Sequence, residues 1–299
     1  MSHAVEVEDL VKRYGRVEAV RGVTLEVRHG ETVGYLGPNA AGKTTTIRCM
    51  LGLLRPTGGS IRVLGRDVRR DLPGVLARVG HIPGEFGLWP QLTGRGCLEY
   101  LGRLHPRPPR RRAELCDSFE LSAADLDRQV RFYSRGMRQK IAIIQAFQHA
   151  PELVIMDEPT EGLDPLMKER FLDLLREHRA AGGSTLMSSH ILSEVEQAAD
   201  RVAVLRAGRV VKEVAARDLA GDRRRHCTVT IAGPPPDPAE LRLPDAVDVR
   251  VEGNTLRFDH TGVMGPLLRA LAGLPVVEFL SEPESLMEAF FDIYEEDTP

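Results

Sequence analysis

No stretch of this chain approaches the ~18–20 consecutive apolar residues that a membrane-spanning helix needs, so a route across a membrane would have to be built by another polypeptide. Cysteine is scarce. The four present, Cys49, Cys97, Cys116 and Cys227, share none of the spacings used by metal or dithiol sites, which excludes a zinc module or disulfide scaffold and suits a reducing compartment. Neither sign of charge prevails: 40 Lys+Arg stand against 43 Asp+Glu, and the net of −3 removes any bulk attraction to nucleic acid. The opening residues Met1 to Glu6 lack the basic and apolar regions of a secretory signal. There is no internal repeat, low-complexity tract or sustained heptad pattern. A chain of 299 residues is expected to hold one large domain and one small one.

What is present is chemically pointed. Gly37-Pro38-Asn39-Ala40-Ala41-Gly42-Lys43-Thr44 fits G-x-x-x-x-G-K-[ST], in which glycines let backbone N–H groups turn inward around phosphate oxygens. Lys43 is expected to reach the β- and γ-phosphates and Thr44 to ligate Mg²⁺, with Thr45 at the start of the helix beside them. The context fits: Glu31 to Leu36 reads as a buried strand running into the loop, and Thr45 to Leu51 as the helix leaving it, its positive end toward the phosphates. Much later, Leu153-Val154-Ile155-Met156 forms a buried strand closed by Asp157 and Glu158. Open α/β sheets place ligands at such strand ends, so Asp157 is expected to hold the metal and Glu158 to polarise a water.

With these residues the chain resembles the ATP-binding cassette (ABC) ATPases over about residues 4–220. Tyr133-Ser134-Arg135-Gly136-Met137 stands where that family carries its LSGGQ signature, retaining Ser134 and Gly136, and its form is similar to the ABC-2 exporter subgroup. The resemblance implies a fold: a P-loop NTPase of ABC type, α/β, with a mixed sheet, an antiparallel β subdomain and an inserted helical subdomain at about 84–150. It also implies that Tyr14 stacks on adenine, that Ser134, Arg135 and Gly136 face a γ-phosphate held by a second chain, and that Asp164 crosses to the partner's phosphate loop. His190, 33 residues after Asp157, matches the switch histidine that fixes Glu158 and its water.

Two departures stand out. The family commonly has Gly where this chain has Ala40; because the generic motif leaves that position free, no positive φ is expected there. The Gln that touches Mg²⁺ aligns with Gly84, leaving Glu85 as the nearest oxygen donor.

Arg103 to Arg112 is the one strong charge run, and with no aromatics between the arginines to stack on bases it reads as a solvated Pro-Arg loop joining two helices. A helix opening near Leu92-Thr93 is expected to present Leu98, Leu101 and Leu104 on its apolar face. Beyond 220 the pattern changes to a small α+β accessory domain, residues 221–299, expected to be ferredoxin-like, built from strands at His226 to Ala232, Val247 to Val251, Thr255 to Phe258 and Val276 to Leu280. A helix is expected over Pro266 to Leu271, and a last one, Ser285 to Tyr294, carries Phe290 beside Phe291.

The expected function is ATP hydrolysis by a subunit of an ABC-2 type exporter. It would lie on the cytoplasmic face of the membrane and pair with a second cassette and a separate transmembrane permease. ATP and Mg²⁺ are the expected cofactors, and nucleic acid is not an expected partner. The alternative is an ABC ATPase acting on the ribosome or nucleic acid, whose members usually carry two cassettes or a long coiled-coil insertion.

Overall fold

The computed structural model describes residues 3–219, 224–233 and 242–283. The helix expected at Ser285 to Tyr294, with Phe290 and Phe291, lies outside them. Two compact units divide between Ala216 and Arg217, four residues before the boundary the sequence suggested.

The first unit opens with two long strands, β1 (His3–Tyr14) and β2 (Val17–Arg28), paired antiparallel. β3 (Thr32–Leu36) is buried at every position and runs into the phosphate loop, which releases α1 (Lys43–Met50). Strands β4 (Gly58–Val63) and β5 (Arg66–Asp67) complete a four-stranded sheet in the order β2-β1-β4-β5. The short helix α2 (Leu72–Leu76), capped by Asp71, leads to β6 (Val79–Ile82).

A helical insert follows. α3 (Gly94–Leu104) starts where the Thr93 hydroxyl accepts from Gly96 N–H. α4 (Arg112–Ser118) comes next, then α5 (Ala123–Asp127), whose start is a reciprocal Ser122–Asp125 capping box. α6 (Arg135–Phe147) closes the insert and buries Ile141, Ile143, Ile144 and Phe147. The expected apolar face of α3 is shorter than its sequence suggested: Leu98 is buried but Leu104 is 66% exposed, because the helix ends there before Pro106. The basic run is also less solvated than expected. Arg107 binds Glu152, Arg111 binds Glu114 and Glu177, and Arg112 donates to Gln148 and to the Leu98 carbonyl. Arg78 grips Glu152 bidentately at 2.9 and 2.6 Å, and these two arginines, Arg78 foremost, hold the carboxyl down to about pKa 2.

The chain then alternates: β7 (Leu153–Asp157), α7 (Pro165–Ala180), β8 (Ser184–Ser189), α8 (Leu192–Ala198), β9 (Arg201–Arg206) and β10 (Arg209–Ala215), before a last turn of helix, α9 (Ala216–Leu219). Their sheet has the order β10-β9-β3-β8-β7-β6, parallel throughout except for the β9–β10 hairpin. The order matters for function. It puts β8 between β3 and β7, so the segments leaving these three interior parallel strands emerge side by side at the strands' C-terminal ends. Two apolar clusters stabilise this unit. One joins the antiparallel sheet to β3 and α1 through Leu10, Leu25, Tyr35 and Ile47; the other joins the helical insert to β7 and α7 through Phe119, Phe147, Met156 and Phe171.

The second unit holds β11 (Arg225–Ile231), β12 (Ala246–Glu252), β13 (Thr255–His260), α10 (Met264–Leu271) and β14 (Val276–Pro283). Its antiparallel sheet has the order β12-β13-β11-β14, the strand arrangement of a ferredoxin-like unit with α10 crossing from β13 to β14. Leu267 and Leu271 of α10 pack on Cys227, Val229, Leu256 and Phe258.

Candidate nucleotide site

The loop from Gly37 to Thr44 is shaped by close backbone approach. A side chain at Gly37 would place Cβ 2.4 Å from the Leu205 carbonyl oxygen, and at Gly42, with φ 110°, 2.6 Å from that of Ala19. Glycine alone fits both. The loop is tied to the β9–β10 turn by Gly208 N–H donating to the Ala41 carbonyl at 2.9 Å. Ala40 overturns one expectation: its φ is 64°, left-handed, so the position does use the conformation that glycine adopts freely. The residue is exposed.

Lys43 is 6% exposed and lies across the loop, its ammonium donating to the carbonyls of Gly37 at 2.6 Å and Pro38 at 3.3 Å, and sitting 3.3 Å from Glu158 Oε1. Thr44 Oγ1 donates to Asp157 Oδ2 at 2.6 Å. The other Asp157 oxygen accepts from Ser188 Oγ at 2.5 Å. Glu158 has φ 50°, rare for a residue with a side chain, and its N–H is held by the carbonyl and hydroxyl oxygens of Ser188, each at 3.2 Å. His190 Nδ1 lies 2.8 Å from Glu158 Oε2. Lys43, Thr44, Asp157, Glu158 and His190, drawn from three separate segments, are thus joined in one polar network, through hydrogen bonds that run by way of Ser188 and through the Lys43–Glu158 ion pair.

The remaining expected residues lie around this centre in different ways. A cleft of about 530 Å³ is lined by Pro38, Asn39, Ala40, Ala41, Gly42, Lys43, Thr44, Thr45 and Glu158. Its far wall is Val17, Ala19 and Arg21 of β2 with Ala207 and Gly208, residues for which the sequence carried no signal, because they meet the loop only through the fold. Tyr14 ends β1 at 47% exposure, outside that wall, with the Lys12 ammonium 5.1 Å from its ring. Ser134 N-caps α6, its hydroxyl accepting from Met137 N–H at 3.2 Å. Arg135 pairs with Glu161 at 2.5 Å, and Gly136 sits so near the Gly162 carbonyl that a Cβ would lie 2.8 Å from it. Asp164 caps α7 by accepting from Met167 N–H at 3.0 Å. Gly84 runs against the acid: a Cβ there would be 3.1 Å from Asp157 Oδ2, while Glu85 is exposed on the loop beyond.

Comparison with known proteins decides the family. Residues 20–161 match the family described as ABC transporter. The chain is 42% identical to the daunorubicin resistance ATP-binding protein DrrA3 of Streptomyces coeruleorubidus, over 74% of this chain and 72% of that one. It is 32% identical to the bacitracin transport ATP-binding protein BcrA of Enterococcus faecalis, over 97% of this chain and 96% of that one. The chain belongs to the ABC transporter family. A solved structure described as the ATP binding subunit of an ABC transporter matches this cassette with TM-score 0.68 and 33% identity, over 72% of this chain and 91% of that one. The ABC subunit described here therefore binds ATP and hydrolyses it to ADP and phosphate, and its relatives place it among exporter-type ATPases rather than those acting on nucleic acid.

Proposed function

We propose that two copies of this cassette, or one copy and a related cassette, close head to tail around two MgATP and drive a separate ABC-2 type permease from the cytoplasmic face of the membrane. The observation that carries the reading is the convergence of Lys43, Asp157, Glu158 and His190 beyond the C-terminal ends of the three adjacent strands β3, β8 and β7. No helix among the described residues is long and apolar enough to cross a membrane.

The residues present suit a hard cation. Thr44 Oγ1 and Asp157 Oδ2 stand 2.6 Å apart, both hard oxygen donors, and the missing side chain at Gly84 leaves room beside Oδ2. Mg²⁺ held there by Thr44 and Asp157 would supply positive charge to offset that of the phosphates. Glu85, one residue on, is a further oxygen donor within the same loop. Loop N–H groups and Lys43 bind the β- and γ-phosphates; for this Lys43 exchanges the Gly37 and Pro38 carbonyls for phosphate oxygens. Glu158 accepts a hydrogen bond from the attacking water, and His190 holds Glu158 in line while reaching the γ-phosphate. Tyr14 supplies a face for adenine. Across the interface, Ser134, Arg135 and Gly136 approach the partner's nucleotide and Asp164 its phosphate loop.

The test is Glu158→Gln. Retaining the side-chain shape while removing the carboxylate, it should leave ATP binding intact, reduce turnover to near background and yield an ATP-dependent dimer on gel filtration. Turnover near wild type in this variant would end the assignment.

A further inference from the structure

We propose that Ser188 is a positioning residue for the metal and for the catalytic carboxylate, a role that rests on Asp157 holding Mg²⁺. Asp157 and Ser188 are direct partners in the parallel pairing of β7 with β8, so their side chains rise from the same level on the same side of the sheet. Ser188 has 0% exposure and Asp157 4%, so neither can turn to water for a replacement partner. Asp157 has two oxygens and one is engaged by Thr44 Oγ1; the other is occupied by the Ser188 hydroxyl at 2.5 Å. The same hydroxyl oxygen accepts from Glu158 N–H at 3.2 Å. One buried O–H thereby donates to the metal-binding carboxylate and accepts from the backbone of the next residue, which is held at φ 50°.

The consequence is geometric. Asp157 points Oδ2 toward Thr44 only while Oδ1 is held on the other side, and a buried carboxylate oxygen left without a donor would rotate to seek one. Partners that orient a metal ligand from behind commonly affect metal affinity by about 10–100-fold when removed. Ser188 therefore sets how tightly the cation is held when nucleotide is bound, without itself touching phosphate or metal.

The experiment titrates Mn²⁺ into the full-length protein with a non-hydrolysable ATP analogue and follows free Mn²⁺ by electron paramagnetic resonance. Nucleotide affinity in EDTA and thermal stability are measured alongside. Ser188→Ala is expected to weaken Mn²⁺ binding about tenfold while metal-free nucleotide affinity stays within about twofold, and Ser188→Thr, which keeps the hydroxyl, restores most of the loss. Wild-type Mn²⁺ affinity in Ser188→Ala overturns the inference. So does an equal fall in Mn²⁺ affinity, metal-free nucleotide affinity and thermal stability, the mark of a structural role alone. Asp157→Asn in the same titration separates the two claims: if it binds Mn²⁺ like wild type, the metal assignment itself fails. If it loses Mn²⁺ while Ser188→Ala does not, only the role of Ser188 fails.

Discussion

Ala40 offers a quantitative check on the phosphate loop. At φ 64° an L-residue brings Cβ toward the following carbonyl, which costs roughly 1–2 kcal/mol relative to glycine. Replacing it with glycine removes that strain but adds about 0.4–1 kcal/mol of chain entropy to the unfolded state. The side chain is exposed, so no packing is lost. The net for Ala40→Gly is a stabilisation of about 0.5–1 kcal/mol. For a unit of about 200 residues that corresponds to a rise of about 1–4 °C in Tm. The chain has a single tryptophan, Trp89, and it lies in the first unit, so its fluorescence in a urea titration reports on the cassette without the second unit. The expected result is a higher midpoint with an unchanged slope. An unchanged or lowered midpoint would refute the left-handed geometry at this position.

The other predictions touch different parts of the site and fold. Gly37→Ala forces Cβ to 2.4 Å from the Leu205 oxygen and should destabilise the cassette by about 1–3 kcal/mol and abolish nucleotide binding, both readable by thermal shift with and without ATP. His190→Ala should lower turnover on the order of 100-fold with little change in Tm, since the ring is 44% exposed and its contact is to Glu158. The Asp164 cap should contribute about 1 kcal/mol, so Asp164→Ala lowers the urea midpoint while Asp164→Asn does so much less. Glu152, whose carboxyl is depressed from 4.5 to about 2, contributes stability that is complete above about pH 4.5 and lost as pH falls through 2. The stability gap between wild type and Glu152→Gln, followed by denaturation across that range, should therefore close on acidification.

Much of this was legible in the residues because the chemistry is local. The glycine spacing before Lys43, the apolar run into Asp157 and Glu158, and the strand into His190 each carry their meaning within a few positions, and all three strands formed where that pattern put them. What stayed hidden depends on contacts between distant segments. Ser188 reads as an ordinary strand serine until β8 is laid beside β7, and Arg21 and Gly208 become walls of the cleft only once β2 and the β9–β10 turn close on the loop. The φ at Ala40 could not be read from a motif that permits any residue there. The arginines of residues 103–112 read as solvated because their acids, Glu152 and Glu177, come 40 or more positions later for the pair Arg107 and Glu152, 45 apart, and for Arg111 and Glu177, 66 apart.

The most direct test of the account is the structure of the Glu158→Gln protein with MgATP bound, read at Ser134. Its hydroxyl now caps its own helix at Met137. The account predicts that in the loaded assembly it lies within hydrogen-bond distance of the γ-phosphate held by the partner's Lys43-containing loop. A loaded structure in which Ser134 remains on Met137, remote from every triphosphate, would contradict it.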